Sequence, residues 1–231
     1  MNNGFSIIEL LVVMTISLVI FSLVISNLIE GIEIGKKVTS RHKLLESLFF
    51  TVDTIKNDLT KCGMRLQEAS SIFNLQLFSH SDSGFKIIYG LDEGVLLENS
   101  YIGDNKIEIS KEKIVTKGTK ILIYDPIGKQ YEFSEVKKIS GQSLLLKFEL
   151  KKEHLKHSII IPLKEIEMKL YKKQKVLKRK IDKGYFQPVI EGVTDFYISF
   201  LNDSNSVLYR LEINNREQIR GYIFLSNMAG L

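Results

Sequence analysis

The sequence predicts an α+β fold: a long N-terminal helix, apolar in its first half and amphipathic in its second, packed on a mainly antiparallel β-sheet domain. Three observations carry this. Twenty residues from Leu10 to Ile29 contain no formal charge. Apolar residues then recur at helical spacing from Leu45 to Leu66. Beyond residue 72 the period of hydrophobicity drops to two, with turn-forming clusters between the runs.

The uncharged run LLVVMTISLVIFSLVISNLI would cover ~30 Å as a helix, about one bilayer hydrocarbon core. A helix satisfies its own backbone groups, so lipid tolerates it. Residues 5–29 are therefore expected to span a membrane. The segment lacks the features of a secretory signal peptide: Met1-Asn2-Asn3-Gly4 has no Lys or Arg, and no small-x-small cleavage site follows the apolar run. Glu9 lies at the edge of that run. A carboxylate at membrane depth costs roughly 2.5–3.5 kcal/mol and calls for a cationic partner. No basic residue lies within one turn of it, so the partner is expected from outside the segment.

Residues 30–71 continue as the amphipathic part of the helix. Gly31 and Gly35 weaken it by about 1 kcal/mol each relative to alanine, and no proline interrupts the chain before Pro126. Leu45, Leu48, Val52, Ile55, Leu59, Cys62 and Leu66 alternate in spacings of three and four, an apolar stripe, while Asp53, Lys56, Asn57, Lys61 and Arg65 occupy the other side. The helix is predicted from Phe5 to about Ala69. A coiled coil would use the same stripe.

Residues 72–231 are expected to form the β-rich domain. Alternation is clear at Leu144–Leu150, Ile166–Leu170, Phe196–Phe200 and Val207–Ile213. Turn chemistry stands at Ser81–Gly84, Gly103–Lys106, Ser140–Gln142 and Asn202–Asn205. No helical pattern separates the strands, hence the antiparallel expectation. Within 72–118 the pattern is too irregular to assign strands.

Composition bounds the rest. About 200 residues beyond the anchor suffice for a packed core, and 44% apolar with 26% charged residues is the balance of a globular chain. The single Cys62 forbids an intrachain disulfide; on the apolar stripe it reads as a small core residue. His154 and His157 read as solvated residues of a polar connection, and Asn202, Asp203 and Asn205 as a turn rather than a calcium site. No convergent set of polar groups suggests catalysis, so neither an enzyme nor a cofactor is expected. Between Lys147 and Lys183 thirteen basic residues face five acidic ones. The densest part, Lys172, Lys173, Lys175, Lys178, Arg179 and Lys180, is a candidate binding surface for DNA, anionic lipid or an acidic partner. A solvated hairpin edge carrying lysines against unwanted pairing is the plainer reading.

Gly4, Phe5 and Glu9, followed by the apolar helix, resemble the type IV prepilin signal. The resemblance implies a leader of residues 1–4, cut by a prepilin peptidase between Gly4 and Phe5, with Phe5 then N-methylated. It implies that Glu9 pairs with the terminal amine of a neighbouring subunit, which supplies the missing cation. A weaker similarity covers Asp58–Met64, Gly118–Asp125, Leu177–Arg179 and Gln187–Phe196. It points to PilW-like minor pilins and J-type pseudopilins of type II secretion.

The implied protein is a minor pilin or pseudopilin held in the cytoplasmic (inner) membrane, its C-terminal domain extracytoplasmic, and later part of a pilus or pseudopilus. Its implied partners are other minor and major pilins or pseudopilins, the inner-membrane assembly platform and membrane lipid. Charge alone reads differently: Lys36, Lys37, Arg41 and Lys43 follow the span and nominally favour a cytoplasmic domain. The alternative class is a membrane-anchored binding module whose basic hairpin takes DNA, as in DNA uptake, or an acidic partner.

Overall fold

A computed structural model describes residues 7–110, 115–201, 205–214 and 217–228. Its element order is a long helix, a short helix and thirteen strands among the described residues, an α+β architecture. Two compact units divide between Phe50 and Thr51.

The first unit is helical throughout its described part. Helix α1 runs Ile7–Leu59, and the side chains from Ile7 to Ile29 are exposed, Leu10 at 56% and Phe21 at 63%. This stretch is long and apolar enough to cross a membrane. The Thr15 hydroxyl donates to the carbonyls of Leu11 and Val12, so that polar group needs no water.

In the second unit α1 ends at Leu59, about ten residues before the expected boundary. The chain turns tightly over 60–64, Gly63 takes φ +70°, and its N–H donates to the Ile88 carbonyl. Arg65 also sits at positive φ, which a continuing helix forbids. A separate helix α2 follows at Gln67–Phe73. Leu48, Ile55, Leu59, Cys62 and Leu66 of the predicted stripe are buried, whereas Val52 is half-buried and Leu45 exposed. Thr51 and Asp58 are buried instead, so the inward face is polar at two positions.

Strands β1 (Phe78–Ser81), β2 (Gly84–Gly90), β3 (Gly94–Val95), β4 (Lys106–Glu108), β5 (Lys120–Asp125), β6 (Gln130–Ser140) and β7 (Ser143–Leu146) come first in sequence. They are followed by β8 (Ile159–Tyr171), β9 (Val176–Ile181) and β10 (Gln187–Glu191). These ten form one sheet, and every described pairing is antiparallel. The Asp82-Ser83 and Gly141-Gln142 turns fall where turn chemistry placed them.

The thirteen-residue β8 is the axis. Its first part pairs with β3 and β5, and its last part with β2 and β9. The β5, β6, β7 and β4 ladder continues to the bridge between Leu96 and Ile109, which returns it to β3 beside β8. The ring β8–β5–β6–β7–β4–β3 is therefore closed, and closure removes the edges of these short strands. Ile121 and Ile123 point into it with Leu96, Ile107, Val136, Leu144 and Leu146, all buried. On the other face of β5, Leu122 and Tyr124 are equally buried, the Tyr124 ring edge-on to Phe73 of α2.

A three-stranded sheet completes the unit: β11 (Val193–Leu201), β12 (Ser206–Ile213) and β13 (Glu217–Phe224). Phe196, Ile198, Val207, Tyr209, Leu211 and Ile213 are buried in the period-two pattern of the sequence. Phe196 meets Phe85 and Phe200 meets Phe78, which binds this sheet to β1 and β2.

Candidate functional site

Two regions carry the residues singled out by sequence. In the first, Gly4 and Phe5 lie outside the described residues, while Glu9 sits on the first described turn of α1 and is exposed. Around it the surface is purely aliphatic: Ile7, Ile8, Leu10, Leu11, Val12 and Val13 are all at least half exposed. So large an exposed apolar surface is of the kind that lipid or other apolar helices cover.

The second region is the hairpin of β8 and β9, extended by β10. Its turn holds Lys172, Lys173 and Lys175, all exposed, with Lys175 at φ +54°. Strand alternation then separates the next three basic residues. Lys178 and Lys180 face outward, whereas Arg179 turns to the buried face, opposite Met168 in register. Its guanidinium grips Asp58 through two hydrogen bonds, Nε to Oδ2 at 2.6 Å and Nη2 to Oδ1 at 2.7 Å. The Asp58 side chain is only 2% exposed. Hydrogen bonding to this carboxylate holds the Arg179 pKa above its ordinary value. Arg179 is thus committed to the interior and separated from the candidate binding surface.

On the outward face Lys180 pairs with Glu167 at 2.6 Å, which raises its pKa. Its ammonium also lies 4.8 Å from the Phe186 ring centre, and that of Lys178 lies 4.5 Å from the centre of Tyr171. The two rings meet edge to face at 5.6 Å. Phe186 was not legible as a member of this group; only the register of β10 on β9 brings it alongside. Lys169, the cross-strand partner of Lys178, adds a further exposed cation.

His154 departs from its sequence reading. It is fully buried, while His157 is exposed at φ +72°. The bridge of Ser100 to His154 pins its backbone, and neither ring nitrogen has a hydrogen-bond partner among the described residues. Glu132 Oε2 stands 3.7 Å from Nε2, too far for a hydrogen bond. That carboxylate instead accepts the backbone N–H groups of Lys151 and Lys152. Burial pushes the His154 pKa below its ordinary value, against the pull of Glu132.

Cys62 is buried and hydrogen-bonded to the Leu77 carbonyl, and burial pushes its thiol up to about 12. It is a core residue without thiolate character at neutral pH. Among the described residues no three His, Cys, Asp or Glu side chains are grouped to hold a metal ion. Asn202 and Asp203 lie outside the described residues.

No family model and no curated protein matches the chain. Among solved structures, the tailspike of Acinetobacter baumannii bacteriophage AP22, in complex with a capsular saccharide, is similar over 34% of this chain, at 14% identity and a TM-score of 0.29. The match spans 15% of the tailspike's length.

Proposed function

We propose that the chain is a minor pilin or pseudopilin, a non-catalytic subunit built into a type IV pilus-like filament through its N-terminal helix. The observation that carries this is the exposed aliphatic surface of α1, bearing Glu9 in its first described turn and preceded in sequence by Gly4-Phe5. An uncovered helix of this kind is stable only in a bilayer or against like helices. A single glutamate near its start would give those like helices a register, because a buried carboxylate tolerates only positions that bring a cation to it.

In this reading a prepilin peptidase cuts after Gly4 and exposes the amine of Phe5. The subunit waits in the cytoplasmic (inner) membrane with its β domain extracytoplasmic. Glu9 neutralises the terminal amine of a neighbour as the helix leaves lipid for the filament, under the action of an inner-membrane assembly platform. The size of the domain, with a closed β-ring inserted between β2 and β8, suits a low-copy initiating or tip subunit beside the major pilins. PilW-like and J-type subunits are the proposed kin.

The test is intact mass and N-terminal analysis of the membrane-extracted protein, made with and without its prepilin peptidase. A mature chain beginning at N-methylated Phe5 only when the peptidase is present is the expected result. An uncut chain retaining Met1 under both conditions would overturn it and leave a plain membrane anchor.

A further inference from the structure

Strands β1 and β10 end the large sheet, and β11 and β13 the small one. An open strand edge invites pairing with another chain, which short length, proline or a bulge discourages. Strand β1 has four residues, β10 carries Pro188 and a shift of register, and β11 carries such a shift at its start. Strand β13 has none of these: its eight residues run in unbroken register with β12. Next to that ladder the Leu225 N–H donates to the Asn205 carbonyl at 2.9 Å. From this pair, antiparallel alternation aims the N–H and C=O groups of Gln218, Arg220, Tyr222 and Phe224 away from β12, at the open edge. Their side chains share the outward face of the sheet, and all four are exposed, Tyr222 at 72% and Phe224 at 57%.

Charge singles out one position on this edge. Arg220 stands opposite Arg210, which is already held by Asp195 at 2.7 Å. Among the described residues the Arg220 guanidinium meets no carboxylate and donates to the neutral Gln218 amide oxygen, at 2.7 and 3.0 Å. Glu212 shares the face but lies opposite Gln218 and makes no ion pair with Arg220.

We propose that β13 takes up an added antiparallel strand from a partner protein, an extended segment that sets apolar side chains opposite Phe224 and Tyr222 and a carboxylate opposite Arg220. In the partner's own order the pattern is apolar-x-apolar-x-acidic. Main-chain hydrogen bonds supply the affinity of such an addition, and alternate side chains its selectivity. Aromatic with β-branched residues, and opposite charges, are favourable cross-strand pairs, whereas the existing Arg210–Arg220 pair is not. A second copy of this chain is a poor occupant. The residues its β13 would bring to the edge are again Gln218, Arg220, Tyr222 and Phe224, with no carboxylate in any register. The edge belongs to the β domain, and the inference does not rest on the filament reading.

The test uses the full chain in neutral-detergent micelles and a fluorescein-labelled hexapeptide, Val-Thr-Val-Thr-Asp-Thr, with a second peptide carrying Lys in place of Asp. Anisotropy should show the Asp peptide bound more tightly than the Lys peptide. Arg220→Glu should weaken the Asp peptide about fivefold to tenfold and reverse the preference. Residue-resolved amide exchange should slow at Arg220 and Tyr222 when the Asp peptide binds, and stay unchanged at Ile219 and Gly221, which already face β12. Tyr222→Pro should abolish binding with the melting temperature kept, because the N–H it removes makes no bond to β12.

Binding of neither peptide, or binding without the alternating protection, would overturn the added strand. Equal affinity for the Asp and Lys peptides in wild type and Arg220→Glu would overturn the acidic partner. Self-association of the chain, lost in Tyr222→Pro while neither peptide binds, would assign the edge to a second copy instead.

Discussion

Arg179 of β9 and Asp58 near the end of α1 are joined by a two-point hydrogen-bonded ion pair, the carboxylate almost wholly buried and the guanidinium a quarter exposed. They lie 121 residues apart in sequence. The pair fixes the last turn of α1 on the sheet at the one place where that inward face is charged.

Removing one partner leaves the other desolvated, so Asp58→Ala is expected to cost about 3 kcal/mol, and Arg179→Met a comparable amount. The double variant D58L/R179M should recover much of the loss, since two apolar groups leave no charge unpaired. Urea unfolding of the three variants checks this, with a coupling energy well above 1 kcal/mol as the expected outcome.

Glu9→Ala should insert in the membrane at least as well as the wild-type chain, because a charge is removed from the edge of the apolar run. Incorporation into filaments should fall sharply, while cleavage after Gly4 continues. Immunoblots of sheared filaments against membrane fractions separate the two effects. Equal incorporation of Glu9→Ala and wild type would remove the docking role.

His154 should make the β domain less stable in mild acid. In the unfolded chain it takes up a proton near its ordinary value of about 6.5. In the fold, burial holds its pKa lower, helped by Lys152 and opposed by the carboxylates of Glu132 and Asp125. Below about 6.5 the unfolded state therefore binds more protons, and stability falls as pH drops through that value towards the depressed one. Melting temperatures measured from pH 7.5 to 5 should decline, and His154→Gln should flatten that part of the curve. The carboxylates of Glu135 and Glu165, held below their ordinary value by lysines, contribute only at lower pH.

Gly221 of β13 lies directly across from Tyr209 of β12, and a Cβ there would stand 2.4 Å from the tyrosine oxygen. Tyr209 is only 6% exposed and has little room to move away. Gly221→Val, although favourable by strand propensity, is therefore expected to destabilise by roughly 1–3 kcal/mol through overpacking. Restored stability in the G221V/Y209L double variant would confirm the steric cause.

What the sequence determined by itself is the part of the structure written in neighbouring residues. The uncharged run makes an apolar helix whatever follows it. The alternations in β8, β11 and β12 choose their buried faces because a strand's side-chain period is two. Tertiary structure decided the rest. The two- and three-residue strands β3 and β4 are too short to show a period, and exist because the ring through Leu96 and Ile109 closes around them. The helix stops at Leu59 because the chain there bonds to β2, a partner the local sequence does not reveal. His154 is buried by a bridge to Ser100, and Arg179 parts from its basic neighbours because one side of β9 already faces the core. Periodicity is a local property of the chain, whereas burial of a polar group depends on which distant segment arrives to satisfy it.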